Sequence, residues 1–111
     1  VMVQLCMGIP WGAPDDLNTF MAMVNNVPKD WIMSAFSIGR NEMNYVAAAV
    51  LAGGNIRVGL EDNLWLEKGV LATNAQLVEK AATIATNMGS TLMTPAQVRE
   101  LIQVEKRAPL Q

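Results

Sequence analysis

The sequence predicts an α/β fold with parallel strands, on three observations. Two short, almost unbroken apolar runs, Val1 to Ile9 and Trp31 to Ile38, each close on a glycine, Gly8 and Gly39, the pattern of strands buried on both faces of a parallel sheet. Each run is followed by apolar residues at three-and-four spacing, the mark of an amphipathic helix. A third strand-like stretch, Asn55 to Leu60, runs straight into Glu61-Asp62-Asn63. Short alternating units of this kind require right-handed crossovers and parallel pairing.

After the first run, Pro10, Trp11, Gly12, Ala13 and Pro14 form a breaker-rich loop. Asp15 is a candidate N-cap for a helix carrying Leu17, Phe20, Met21, Val24 and Val27, which must stop before Pro28 because the residue preceding a proline disfavours helical backbone. Met21 and Met23 read as core filling rather than as ligands. The second run leads through Arg40, Asn41 and Glu42 into a helix with Met43, Val46, Ala47, Val50 and Leu51 on its apolar side. Gly53-Gly54 ends that helix as a C-cap and tight turn. A phosphate-binding loop has the reverse order, strand before glycines before helix.

Beyond the third strand, Leu64, Trp65 and Leu66 read as an apolar loop that covers something, and Lys68-Gly69 reopens the chain. Thr73 and Gln76 match a capping box for a helix carrying Leu77, Val78, Ala81, Ile84, Ala85 and Met88, stopped by Gly89. Thr94-Pro95-Ala96-Gln97 starts a last helix with Val98, Leu101 and Ile102 on its apolar side. The tail, Arg107 to Gln111, is expected to fray. Three parallel strands leave both sheet edges bare and at least one face uncovered, so the order predicts part of a barrel rather than a finished domain.

Composition points the same way. The chain has 111 residues, 51% of them hydrophobic and only 16% charged, against roughly 25% charged in soluble domains, so much of its surface expects cover. The formal charge of −2, with no basic run, argues against a nucleic-acid partner. The longest apolar stretches fall far short of the roughly 20 residues of a membrane span. Without a charged leader or cleavage site no signal peptide is expected, and an opening Val1 hints at truncation. A single cysteine, Cys6, excludes an intrachain disulfide framework and fits a reducing, cytoplasmic setting. Within its apolar run it reads as an inert buried thiol. There is no histidine, so the usual general base and commonest metal ligand are missing.

The candidate site is Asn55 to Asn63. On a strand, Arg57, Gly59 and Glu61 share one side, and Ile56, Val58 and Leu60 the other. A cation inside an apolar strand is costly unless paired, and carboxylates beyond a strand's C-terminal end stand where parallel α/β folds keep their sites. The same residues also read as a polar turn in which Asp62 or Asn63 caps a helix, with Arg57 snorkelling from an edge strand. Arg57 and Glu61 are four residues apart, about 13 Å on an extended strand, which places Arg57 deeper and Glu61 at the rim.

Gly53-Gly54-Asn55-Ile56-Arg57-Val58-Gly59-Leu60-Glu61-Asp62-Asn63 resembles the β-keto acid cleavage enzymes, a zinc-dependent family of (β/α)8 barrels. Ser37-Ile38-Gly39-Arg40 resembles the family's penultimate strand. Asn74 to Lys80 and Thr94 to Arg99 resemble its C-terminal helices. The likeness covers essentially all of residues 1–111 but only the end of the family's single barrel domain, so it implies strands six to eight, in about three βα units, plus a C-terminal helix.

The resemblance further implies an exchange in which acetyl-CoA and a β-keto acid give acetoacetate and a new CoA thioester. Glu61 matches the family's glutamate ligand to zinc, Asp62 its acid-base carboxylate, and Arg57 the arginine that supports that carboxylate. The histidine ligands and the earlier-strand serine and threonine have no counterpart here, so the 111-residue piece alone is expected to be inactive. A homo-oligomer is expected. Two other readings stay open: a non-catalytic assembly or binding piece completed by a partner chain, and an unrelated α/β enzyme that uses Glu61 and Asp62 as a carboxylate pair.

Overall fold

A computed structural model describes residues 1–104 of the chain; the expected fraying of Arg107 to Gln111 lies outside the described residues. Strands β1 (Met2–Met7), β2 (Ile32–Ser37) and β3 (Asn55–Ile56) form a parallel sheet in that order. Helix α1 (Leu17–Asn26) connects β1 to β2, and α2 (Glu42–Leu51) connects β2 to β3 after a single 3₁₀ turn at Gly39–Asn41. An antiparallel hairpin, β4 (Trp65–Glu67) and β5 (Val70–Leu71), precedes α3 (Asn74–Asn87) and α4 (Pro95–Ile102). The expected α/β class with parallel strands is therefore what the chain adopts.

The register sorts the side chains. Leu5 and Met7 of β1, with Met33 and Ala35 of β2, turn to the helices and form one core with Phe20 of α1 and Tyr45 and Ala49 of α2. Phe20 and Tyr45 meet edge to face, ring centres 5.2 Å apart at 76°, an arrangement aromatic quadrupoles favour. Gln4 stands in register with Ser34, Ser34 with Asn55, and Cys6 with Phe36, so these residues share the opposite face. Met2 and Gln4 are exposed. The expectation that both faces of the first strand are buried is thus met on one face only, because no described element covers the other.

Three boundaries differ from expectation. The N-cap of α1 is Asp16, whose Oδ1 accepts from the Thr19 N–H at 2.8 Å, while Asp15 accepts instead from Asn41 across the strand ends. On α2 the buried side is Glu42, Tyr45, Val46 and Ala49, with Leu51 exposed. The expected strand Asn55 to Leu60 pairs only at Asn55 and Ile56. Its later N–H groups find other acceptors: Gly59 bonds to the Glu42 carboxylate at 3.1 Å and Leu60 to the Asn74 side chain at 2.9 Å. Side chains from two helices satisfy the backbone there, so no strand ladder continues.

The last two helices begin as their sequences dictate. Thr73 with Gln76, and Thr94 with Gln97, each form a complete capping box, with Pro95 in the first turn of α4. Helix α3 packs on α2 and buries Leu77, Ala81 and Ala85. No helix among the described residues is long and apolar enough to cross a membrane.

Candidate functional site

The site is a turn held from three sides. Asp62 and Asn63 both donate their backbone N–H to the Gly59 carbonyl, at 3.1 and 3.2 Å, which folds the chain back just past β3. The Asp62 carbonyl accepts from the Gly39 N–H at 2.6 Å, tying the turn to the loop that follows β2. Glu42 at the start of α2 and Asn74 at the start of α3 supply the other two ties, at Gly59 and Leu60. Asn63 caps no helix: its side chain bonds to the N–H and carbonyl of Trp65 and leads into β4.

Arg57 projects onto the open face of the sheet. Its Nη1 donates to Gln4 Oε1 at 3.2 Å, its Nη2 to Glu61 Oε1 at 3.3 Å, and its Nε faces Asp62 Oδ2 at 3.4 Å. The guanidinium carbon stands 4.2 Å from the centre of the Phe36 ring, within cation–π range. One cation therefore joins β1, β2 and both carboxylates. Arg57 and Glu61 do not stand 13 Å apart, because the turn at Gly59 brings Glu61 back over the arginine. A Cβ on Gly59 would collide with the Glu61 carboxylate, so a side chain there would push that carboxylate off its place over the arginine.

The two neighbouring carboxylates have unlike surroundings. The Glu61 side chain is 57% exposed, whereas that of Asp62 is 5% exposed. Burial lifts Asp62 above the ordinary carboxylate range, Arg57 draws it back, and the Glu61 charge lifts it further. Burial and the arginine thus pull Asp62 in opposite directions, and burial is the larger. Asp62 Oδ2 lies buried with no hydrogen bond, its contact with Arg57 being ionic only. A carboxylate so placed can take a proton without first giving up a strong bond. Burial raises the Cys6 thiol above its usual value, with the Asp62 charge adding to the rise and Arg57 opposing it; a suppressed thiolate is a poor nucleophile.

Residue reasoning missed four members of this arrangement: Gln4, Phe36, Glu42 and Asn74. Gln4 carried a signal, since it is the polar residue inside an otherwise apolar first strand. Glu42 follows Arg40 and Asn41 in a polar stretch of sequence, yet it opens α2 and is fully buried.

A family model described as beta-keto acid cleavage enzyme matches residues 1–104. The chain belongs to the β-keto acid cleavage enzyme family. Among curated members of this family's kind, the chain is 69% identical over 107 residues to the 3-dehydrocarnitine:acetyl-CoA trimethylamine transferase of Rhizobium meliloti (strain 1021), covering 96% of this chain and 36% of that protein. It is 38% identical over 111 residues to the 3,5-dioxohexanoate:acetyl-CoA acetone transferase of Paraburkholderia graminis, covering 96% and 36%. It is 34% identical over 101 residues to the 3-keto-5-aminohexanoate cleavage enzyme of Acetoanaerobium sticklandii, covering 90% and 37%. The chain thus spans just over a third of the length of the curated relatives it matches.

Among the described residues no three His, Cys, Asp or Glu side chains gather into a set able to hold a metal ion. Glu61, exposed and bonded through its carboxylate to Arg57, offers a single donor. A catalytic zinc site uses three protein ligands, so this β-keto acid cleavage chain fits one position of such a set.

Proposed function

We propose that this chain is the C-terminal part of a (β/α)8 barrel enzyme that exchanges carbon units between a β-keto acid and acetyl-CoA, releasing acetoacetate and a new CoA thioester. The observation that carries the reading is the pair Glu61 and Asp62, adjacent in sequence, gathered on one arginine, but one exposed and the other buried. Glu61 is a ligand for zinc, with the remaining ligands coming from outside this chain. A zinc ion held there would supply Lewis-acid stabilisation of negative charge on a keto oxygen. Asp62, lifted by burial, takes a proton from the keto acid and later returns one. Arg57 keeps that carboxylate oriented toward the open face of the sheet, with Gln4 and Phe36 fixing the guanidinium in turn.

The 69% identity to a 3-dehydrocarnitine transferase makes 3-dehydrocarnitine the first keto acid to offer. With one donor of three, the isolated 111-residue chain is inactive. The working enzyme is a cytoplasmic homo-oligomer. The test is zinc content and acetoacetate release, measured on the protein as its source makes it, with wild type and Asp62→Asn. Zinc-dependent acetoacetate release that collapses in the variant supports the reading. Turnover that survives complete zinc removal overturns it. A second reading, an assembly piece completed by a partner chain, draws on the edges of β1 and β3, which have no partner strand among the described residues; it predicts association with neither metal uptake nor turnover.

A further inference from the structure

We propose that Glu42 is a positioning residue for this site: its buried carboxylate is the strut that holds the Gly59–Asn63 turn, and with it Glu61 and Asp62, in place. The proposal rests on the function proposed for Glu61 and Asp62, although its structural half stands without it.

Glu42 is the first residue of α2 and is wholly shielded from solvent. A fully buried carboxylate is costly unless something fixed answers it. Two things do. The helix N-terminus favours negative charge at its first turn, and Glu42 Oε2 accepts the Gly59 N–H at 3.1 Å. That N–H belongs to the residue whose carbonyl closes the turn by accepting from both Asp62 and Asn63. The strut therefore acts on the hinge of the turn, one peptide from Leu60 and two from Glu61. Without it the Gly59 N–H has neither a strand partner nor another acceptor among the described residues. Buried orphan donors are rare because the structure rearranges to satisfy them, and the free movement here is of the turn. The other oxygen of Glu42, Oε1, has no hydrogen bond. One accepting oxygen at the right reach is thus what the site draws from Glu42.

That requirement separates three substitutions. Glu42→Gln keeps an acceptor at the same reach. Glu42→Asp keeps the charge but withdraws the acceptor by one methylene, and Glu42→Ala removes it. In the protein as its source makes it, hydrogen exchange of the peptide containing Gly59 to Asn63 should accelerate about tenfold or more in the Ala and Asp variants and stay near wild type in Gln. Displacement of a catalytic group by about 1 Å can cost about a hundredfold in rate. Turnover number should accordingly fall about 10- to 100-fold in Ala and Asp, with KM for acetyl-CoA within about twofold, and return to within about threefold of wild type in Gln.

Unchanged exchange in both Ala and Asp would overturn the strut, as would a Gln variant no better than Ala. Should Ala fail to fold, the Asp and Gln pair decides alone. A wild-type protein that lacks acetyl-CoA exchange activity defeats the proposed function instead, and leaves the exchange rates to judge Glu42.

Discussion

At Asp62 and its neighbours, small changes should separate chemistry from folding. Asp62→Asn preserves shape but removes the proton acceptor, so turnover should fall by about 10²- to 10⁴-fold, the usual worth of a positioned acid-base group, with the thermal midpoint unchanged or higher. The stability half follows from burial: Asp62 is a shielded carboxyl, and a neutral amide is cheaper to bury. Gly59→Ala acts on geometry alone. The new methyl group would displace the Glu61 carboxylate, and zinc affinity measured by chelator competition should drop about tenfold or more, since disturbing a ligand's support commonly costs 10- to 100-fold.

Glu42 adds a pH signature. Burial raises its carboxyl above the ordinary value of 4.5, the Gly59 N–H pulls it down with a smaller pull from the nearby Asn63 amide, whose hydrogen bond goes to Trp65, and the Asp62 and Glu61 charges push it up, with the net shift upward. A raised carboxyl binds its proton more readily folded than unfolded, so its contribution to stability is full below the unfolded value and is lost as pH rises through the folded one. The thermal midpoint should therefore climb as pH is lowered from neutral through that window, and Glu42→Gln should flatten the climb. Asp16 works the other way. Its bonds from Thr19 hold it below 3.8, so the cap it provides is fully present above that value and is lost as pH falls through the lowered one.

At the scale of elements, what the sequence revealed depended on how local the cause was. Both capping boxes were legible because Thr and Gln three residues apart satisfy each other's backbone without outside help. Thr73→Ala should cost about 1 kcal/mol in denaturant unfolding. The apolar side of α3 was legible too, and Leu77, completely buried on it, should cost about 2–5 kcal/mol when cut to alanine. The hairpin was missed although it carried a signal. Gly69 has φ +81°, a left-handed conformation, and Lys68-Gly69 between Trp65-Leu66-Glu67 and Val70-Leu71 is a two-residue hairpin connection. The end of β3 was beyond reach of local pattern, because it ends where Glu42 and Asn74 take over its N–H groups, from 17 and 14 residues away in sequence. Arg57, Glu61 and Asp62 stand out in the sequence by type and position, whereas Glu42, Asn74 and Phe36 join them only through contacts between segments far apart in the chain.

For the molecule as a whole, the decisive quantity is surface. A self-contained 12 kDa protein exposes roughly 6,000 Å² by the usual mass scaling, whereas this chain exposes 7994 Å². The surplus includes large apolar side chains, among them Trp11 at 94% exposure and Leu51 at 84%. Among the described residues both outer strands of the sheet, β1 and β3, keep an edge without a partner strand, β1 having only the bridge of Met7 to Ala13 at its end, and no layer covers the face with Gln4, Phe36 and Arg57. Parallel sheets are stable when both faces are covered, and exposed edges recruit whatever strand is near. As an isolated 111-residue polypeptide the chain should therefore self-associate, with a mass by light scattering above 12 kDa that grows with concentration, and should bind a hydrophobic dye. Co-expression with the upstream two-thirds of one of its relatives should suppress both effects, because the added strands pair with the same edges. A monomeric, dye-silent, cooperatively melting chain would mean that its edges are protected from within, and the barrel reading would lose its physical basis.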